Sequence, residues 1–130
     1  MENKSALNIL LVSLIAVIMF HIAILIKIVP YNIAWGGRLQ NDAEMYVFES
    51  ISIVINSFFV LVLLMVGDDV KYKFNSKAVK IVLWFFLVLF LLNTVGNLFA
   101  ETNFEKFFAV VTLLFAVLIW KILKSKYNKI

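Results

Sequence analysis

Polar side chains interrupt two otherwise apolar segments of this 130-residue chain at spacings typical of a helix face. Glu49 and Asn56 lie seven residues apart, and Asn93, Asn97 and Glu101 follow one another at intervals of four. Residues spaced by three, four or seven share one face of an α-helix. Polar groups are costly in hydrocarbon and tend to mark functional sites. Carboxylates and amides in this pattern could orient a polar ligand, and the carboxylates could also act as acids or bases.

The segment Trp35-Gly36-Gly37-Arg38 is a second candidate for chemistry. Adjacent glycines permit positive φ and a close approach of the backbone. Their N–H groups, next to a guanidinium, could cradle an anion such as a phosphate or carboxylate headgroup. The Trp35 indole could cover an acyl chain or a ring. The alternative interpretation is a tight interfacial turn with an aromatic anchor and an arginine that contacts lipid phosphates.

His21 is the single histidine, and it lies in a long apolar segment. We expect a neutral imidazole that hydrogen-bonds a neighbour such as Asn93 or Thr112. An acid–base or proton-relay group is the alternative.

Glu49 needs a cationic partner if it faces the other helices, because an unpaired buried carboxylate is costly. Arg38, Lys27 and His21 are the candidates. Arg38 is the expected partner, since a guanidinium binds a carboxylate with two parallel hydrogen bonds. Lys27 is expected to extend its amine towards the membrane interface instead.

The composition is that of an integral membrane protein. The chain is 64% hydrophobic and 15% charged, with a mean hydropathy of +1.01. Cysteine is absent, which excludes disulfides and thiolate sites, and one histidine argues against a multi-histidine metal or haem centre. We therefore predict no metal and no cofactor. The net charge of +4 comes from lysines that flank apolar segments, so it does not indicate a nucleic-acid partner.

Four apolar segments are long enough to cross a bilayer as helices. Pro30 ends the first, and Asn41 with Glu44, and Thr102 with Glu105, are typical of helix N-termini. The first segment is too long for the apolar core of a signal peptide and is expected to be retained. The predicted spans are about 6–29, 42–66, 78–100 and 103–123, with a loop over 30–41 that contains the Trp-Gly-Gly-Arg motif.

The fold class predicted is an all-α bundle of four transmembrane helices in up-down-up-down order, forming one domain over residues 1–130. The distribution of basic residues orients it with both termini in the cytoplasm, since lysine and arginine favour the inside. Nine of them then lie inside: Lys4, Lys71, Lys73, Lys77, Lys80, Lys121, Lys124, Lys126 and Lys129. Three lie outside: Lys27, Arg38 and Lys106.

In this orientation the polar residues occupy the outer half of the membrane, and the inner half is almost entirely apolar. Spans two and three are antiparallel, so their polar faces end at the same side. We therefore expect a pocket that opens outwards and is closed towards the cytoplasm. Its predicted ligand-binding residues are His21, Trp35, Arg38, Glu49, Asn56, Asn93, Asn97 and Glu101. The alternative is a structural role, in which the amides form hydrogen bonds between helices and bind no ligand.

Three stretches carry a resemblance: Pro30-Tyr31 with Trp35-Gly36-Gly37-Arg38-Leu39, Phe48-Glu49-Ser50, and Asn93-Thr94-Val95-Gly96-Asn97-Leu98. In them the chain resembles a class of uncharacterised small bacterial four-helix membrane proteins. The resemblance implies a bacterial cytoplasmic membrane and brings no activity with it. The chain departs from fluoride channels, which are glycine-rich, and from small multidrug transporters, whose essential carboxylate lies in span one.

The function expected is the binding of a small polar or amphipathic ligand, lipid-like and anionic, in the outward pocket. Membrane lipids are the expected partners. The alternatives are a structural subunit of a larger membrane complex, a lipid-modifying enzyme, and a transporter that would need a homo-oligomer to complete a path through the apolar half.

Overall fold

The computed structural model describes residues 3–127 and contains four long helices: α1 (Asn3–Leu25), α2 (Asp42–Val66), α3 (Ser76–Leu98) and α4 (Asn103–Lys126). Two single-turn 3₁₀ helices, Tyr31–Ile33 and Trp35–Gly37, lie between α1 and α2. No strand occurs in this range, and all four helices are long and apolar enough to cross a membrane. The predicted all-α class with four membrane helices is confirmed. Lys129, in the predicted basic tail, lies outside the described residues.

Helix α1 ends at Leu25, four residues before the predicted end at Val29. Lys27 has a left-handed φ of 65°, which a continuing helix does not allow. The N–H groups of Ile28 and Val29 both donate to the carbonyl of Ala23, at 2.9 and 3.2 Å. The turn therefore gives a carbonyl at the end of α1 its hydrogen-bond donors, and the helix ends before it reaches Pro30.

Side chains cap α2 and α4 as the sequence predicts. The Asn41 Oδ1 accepts from the Glu44 N–H at 2.9 Å, and the Gln40 N–H donates back to the Glu44 carboxylate. At the start of α4, the Thr102 hydroxyl accepts from the Glu105 N–H at 3.2 Å. These caps satisfy N–H groups that have no partner within the helix.

The start of α3 differs from the prediction by two residues. Asn75 Oδ1 accepts from the Ala78 N–H at 2.8 Å, so Ser76 and Lys77 join the helix. Helix α4 continues three residues past the predicted Leu123 and ends at Lys126, where the Tyr127 N–H donates to the Leu123 carbonyl.

The helices pack as a ring in which α3 contacts α4 most extensively, α1 contacts α2 and α4, and α2 contacts α3 least. The main apolar core fills one half of the bundle, with Phe59 stacked on Phe86 (ring centroids 4.0 Å apart) and Phe90 against Phe115. We call this half the tail end. There the Lys126 amine also donates to the Val66 carbonyl at 2.5 Å.

The other half, here the loop end, carries the 30–41 segment and a much smaller buried cluster of Ile24, Leu39 and Met45. The contrast between an apolar half and a polar half, expected from the sequence, is thus present in the packing. The loop end is where the polar candidates lie.

Candidate functional site

A buried carboxylate lies at the centre of the loop end. The Glu49 side chain is fully buried (0% exposed), and both of its oxygens are engaged. Its Oε2 lies 2.5 Å from Nδ1 of His21, and its Oε1 accepts from the Trp35 indole N–H at 2.8 Å. One carboxylate therefore joins α1, α2 and the loop between them.

Two helix ends and the loop bring these groups together. Glu49 lies seven residues into α2, about 10 Å along its axis, and His21 lies in the last full turn of α1. Phe20 packs against Phe104 and Phe108 of α4, with both ring centroids at 5.4 Å, and so fixes the end of α1 against α4.

Trp35 adopts an unusual backbone conformation, with φ of 57°. The left-handed region costs a bulky residue about 1–2 kcal/mol. The indole hydrogen bond to Glu49 and the contact with the Phe48 ring, at 5.1 Å between centroids, offset this cost. The carboxylate thus fixes the loop as well as the two helices.

Nδ1 of His21 is the ring nitrogen that contacts Glu49, and Nε2 takes no part in this bond. An ionised carboxylate only accepts hydrogen bonds, so with Glu49 ionised Nδ1–H is the donor. Because both oxygens of Glu49 have donors, this carboxylate is a structural clamp rather than an open ligand contact. Arg38 was predicted to pair with Glu49, and this prediction is wrong. Asn93 or Thr112 was predicted to bond His21, and this is also wrong, because His21 bonds Glu49.

Arg38 is exposed at the surface of the loop end. Within residues 3–127 its guanidinium forms no ion pair. It directly follows Gly37, whose φ is 74° and whose position favours glycine for that reason. A Cβ at Gly37 would lie 3.9 Å from the Glu101 carboxylate, so the loop backbone runs beside the end of α3. Trp35, Arg38 and Glu101 therefore share one end of the bundle.

Lys27, in the turn after α1, forms an ion pair with Asp42 at the start of α2, and its amine lies 6.0 Å from the ring centre of Tyr46. The Asp42 carboxylate, by hydrogen bond and by charge, raises the pKa of Lys27 above its ordinary value. The amine is therefore paired within the protein and does not simply extend into the interface as predicted.

The polar stripe of α3 does not face the bundle as expected. Asn93 is exposed and Asn97 half-buried, whereas the buried polar residue on this helix is Thr94. The Thr94 hydroxyl lies 2.8 Å from the Thr112 hydroxyl of α4. Since successive residues are rotated by about 100° around a helix, a shift of one position changes which group is buried.

The sequence pattern does not distinguish Thr94 as the buried polar group, because a threonine hydroxyl does not need a partner helix. The Thr94 hydroxyl also donates to the Phe90 carbonyl of its own helix at 2.8 Å, and Thr112 similarly contacts the Phe108 carbonyl at 3.0 Å. A threonine satisfied in this way is compatible with an apolar interface. The matching depth of Thr94 and Thr112 on consecutive helices was the available signal.

Four polar residues lie towards the loop end on the helix faces that carry Phe59 of α2 and Phe90 of α3, whose rings contact each other deeper in the bundle. We call these four, at the edge of the α2–α3 boundary, the amide seam: Ser52, Asn56, Asn93 and Asn97. Asn56 is half-buried and donates to the Ser52 carbonyl of its own helix at 2.8 Å. Among the described residues, no hydrogen bond crosses the seam. The aromatic contacts between α2 and α3, from Phe59 to Phe86 and Phe90, lie deeper, towards the tail end.

The predicted residues thus fall into three groups. His21, Trp35 and Glu49 form one bonded cluster, Arg38 and Glu101 lie exposed around the loop, and Asn56, Asn93 and Asn97 follow the seam. In the described part of the chain, no three histidine, aspartate or glutamate side chains are arranged to hold a metal ion.

No family model, curated protein or solved structure matches this chain. Its function is therefore inferred from its own geometry.

Proposed function

We propose that this protein binds a small amphipathic ligand with an anionic group at the loop end, with Arg38 as the anion contact. The observation that carries the proposal is the engagement of Glu49 by His21 and Trp35. Because an imidazole and an indole already satisfy that carboxylate, Arg38 does not pair with it and lies exposed beside Gly37. The expected backbone cradle is not available at Gly37, because its N–H donates to the Ala34 carbonyl at 3.1 Å, and the Arg38 N–H donates to Trp35. The exposed guanidinium itself suits a phosphate or carboxylate.

The proposal places the chain in a bacterial cytoplasmic membrane with its helices alternating in direction and both termini in the cytoplasm. Contacts support the alternation, since His21 near the end of α1 meets Glu49 near the start of α2, and Phe90 and Thr94 meet Phe115 and Thr112. The basic residues near the tail end support the orientation. The ligand site then faces the outer leaflet.

The amide seam provides the route for the ligand's body. Asn93 lies five residues before the end of α3, about 8 Å along its axis, and its side chain is exposed. An amide at that depth lacks water as a partner. A ligand with polar linkages beneath a charged headgroup would satisfy the seam amides while its apolar part stays in the membrane. Lateral entry between α2 and α3 fits their limited contact.

Native mass spectrometry tests the proposal. The natural chain is released from membrane mimetics alongside Arg38→Ala and a matched control, Lys106→Ala, which removes one exposed positive charge at the same end. We expect a discrete bound mass in the natural chain and the control, and its loss in Arg38→Ala. Identical unliganded spectra, or equal loss in both variants, would contradict the proposal.

A second function is favoured by Gly96. A Cβ at that position would meet no described atom within 4 Å, so another helix could approach α3 closely there. A small residue beside exposed amides is typical of contacts between membrane helices. The protein would then be a subunit of a homo-oligomer or larger membrane complex. Disulfide cross-linking of Gly96→Cys to itself or to a co-purifying chain would support this function over ligand binding.

A further inference from the structure

A groove follows the exposed face of α3, starting at the tail end. Two adjoining open depressions of about 470 and 400 Å³ share Ile81 and Trp84 as lining residues. Lys77 and Lys80 complete the first depression, close to the start of the helix. The second has only apolar or aromatic lining: Ile81, Trp84, Phe85, Val88, Leu89 and Leu92. The groove is therefore basic at one end and apolar along the rest.

Helix α3 contains no acidic residue, so no side chain of its own helix neutralises Lys77. The first turn of α3 contains no acidic residue, and within residues 3–127 Lys77 forms no ion pair. In the preceding connection, Asp68 is bonded to Lys73. The N-terminus of a helix adds partial positive charge of its own. This end of the groove is thus complementary to an anion.

The apolar part of the groove has the length of one membrane leaflet. Ile81 and Leu92 are eleven residues apart, about 16 Å along the helix axis. Half of a hydrocarbon core of about 30 Å is about 15 Å. Trp84, which is 44% exposed, lies where the basic and apolar parts meet, as interfacial tryptophans do.

We propose that this groove binds one anionic phospholipid, separate from the ligand at the loop end. Its phosphate contacts Lys77 and Lys80, and one acyl chain lies along the helix from Ile81 to Leu92. The basic end of the groove is complementary to a phosphate, and the apolar part is as long as one membrane leaflet. These two properties favour a phospholipid over a polar solute.

Lipid retention in native mass spectrometry tests the headgroup contact. The purified protein is titrated with phosphatidylglycerol and, separately, with phosphatidylcholine carrying the same acyl chains. We expect tighter binding of phosphatidylglycerol and about 25-fold weaker binding in the double variant Lys77→Ala and Lys80→Ala, since each lysine near an anionic lipid contributes about a fivefold factor.

The matched control is Lys121→Ala with Lys124→Ala. These lysines lie on α4 at the same end of the molecule, and the Lys124 amine lies over the Trp120 ring at 5.0 Å. The control removes the same charge and leaves the groove intact, so we expect phosphatidylglycerol binding within about twofold of the natural chain, given the decay of surface attraction with distance. Equal weakening by the two double variants would overturn the site.

A third variant tests the apolar part while keeping every lysine. Val88 is 50% exposed, so Val88→Trp fills the groove without entering the core. We expect it to reduce phosphatidylglycerol retention about as strongly as the loss of the two groove lysines. Unchanged retention in Val88→Trp, or phosphatidylcholine bound as tightly as phosphatidylglycerol, would also overturn the proposal.

Discussion

The α1–α2 and α3–α4 boundaries are each crossed by a short side-chain hydrogen bond, but the two bonds differ in what happens when they break. Thr94 and Thr112 each retain a carbonyl of their own helix as an alternative partner. Glu49 has only His21 and Trp35 among the described residues, and it is fully buried. Inside a membrane the availability of a second partner, more than the length of the bond, therefore decides its importance.

The largest effect is expected from His21→Leu, which leaves Glu49 buried with one donor. Leaving a buried charged acceptor one donor short costs upwards of about 3 kcal/mol. We expect a loss of that size in the free energy of unfolding, measured by titrating the protein in mild detergent with a denaturing one. Because His21→Leu with Glu49→Leu removes both members, that double variant should recover part of the loss. Additive losses would show that the two residues do not interact.

Trp35→Phe should have the next largest effect, because it removes the donor to Glu49 Oε1 and keeps an aromatic ring against Phe48. An unsatisfied buried acceptor costs about 1–3 kcal/mol. Thermal unfolding of this variant is compared with that of Trp120→Phe, a change at an exposed tryptophan of the tail end. Equal unfolding temperatures for the two variants would contradict the clamp.

Thr94→Val should have a small effect on the other boundary. Hydrogen bonds between membrane helices contribute about 0.6 kcal/mol on average, and the Thr112 hydroxyl keeps its bonds to the Phe108 and Ala109 carbonyls. The same detergent titration measures it. A loss as large as that of His21→Leu would reverse the comparison between the two boundaries.

The smallest effect is expected in the connection between α2 and α3. Lys73, by hydrogen bond and by charge, lowers the pKa of Asp68 below its ordinary 3.8. A carboxylate with a lowered pKa stabilises the folded state above its ordinary pKa, and this contribution disappears as the pH falls through the lowered value. Asp68→Asn should therefore reduce the acid dependence of unfolding below pH 3.8 and leave neutral stability almost unchanged, because both groups are exposed. Asp69→Asn serves as the control.

Local patterns in the sequence were sufficient for the helices and for two of their caps. Asn41 and Thr102 bond within three residues, so their role can be recognised without knowing the fold. The length of the apolar segments decides that helices cross the membrane. These features depend on neighbours in the chain and not on how the helices are rotated.

The partner of Glu49 and the buried face of α3 could not be predicted for a physical reason. The Trp35 indole reaches Glu49 because α1 ends at Leu25 and because Trp35 itself has a left-handed φ. On α3, apolar residues surround the helix on all sides, so hydrophobic periodicity does not distinguish the side with Asn93 from the side with Thr94. Both outcomes depend on tertiary packing.

The bond from the Lys126 amine to the Val66 carbonyl has a consequence for assembly. It joins residues 60 positions apart in the chain and connects the end of α4 to the end of α2. Because α4 is the last of the four helices to be synthesised, this bond to the Val66 carbonyl cannot form until α4 is complete. The first three helices can enter the membrane beforehand, but the ends of α2 and α4 are joined only after the final turn of α4 has formed.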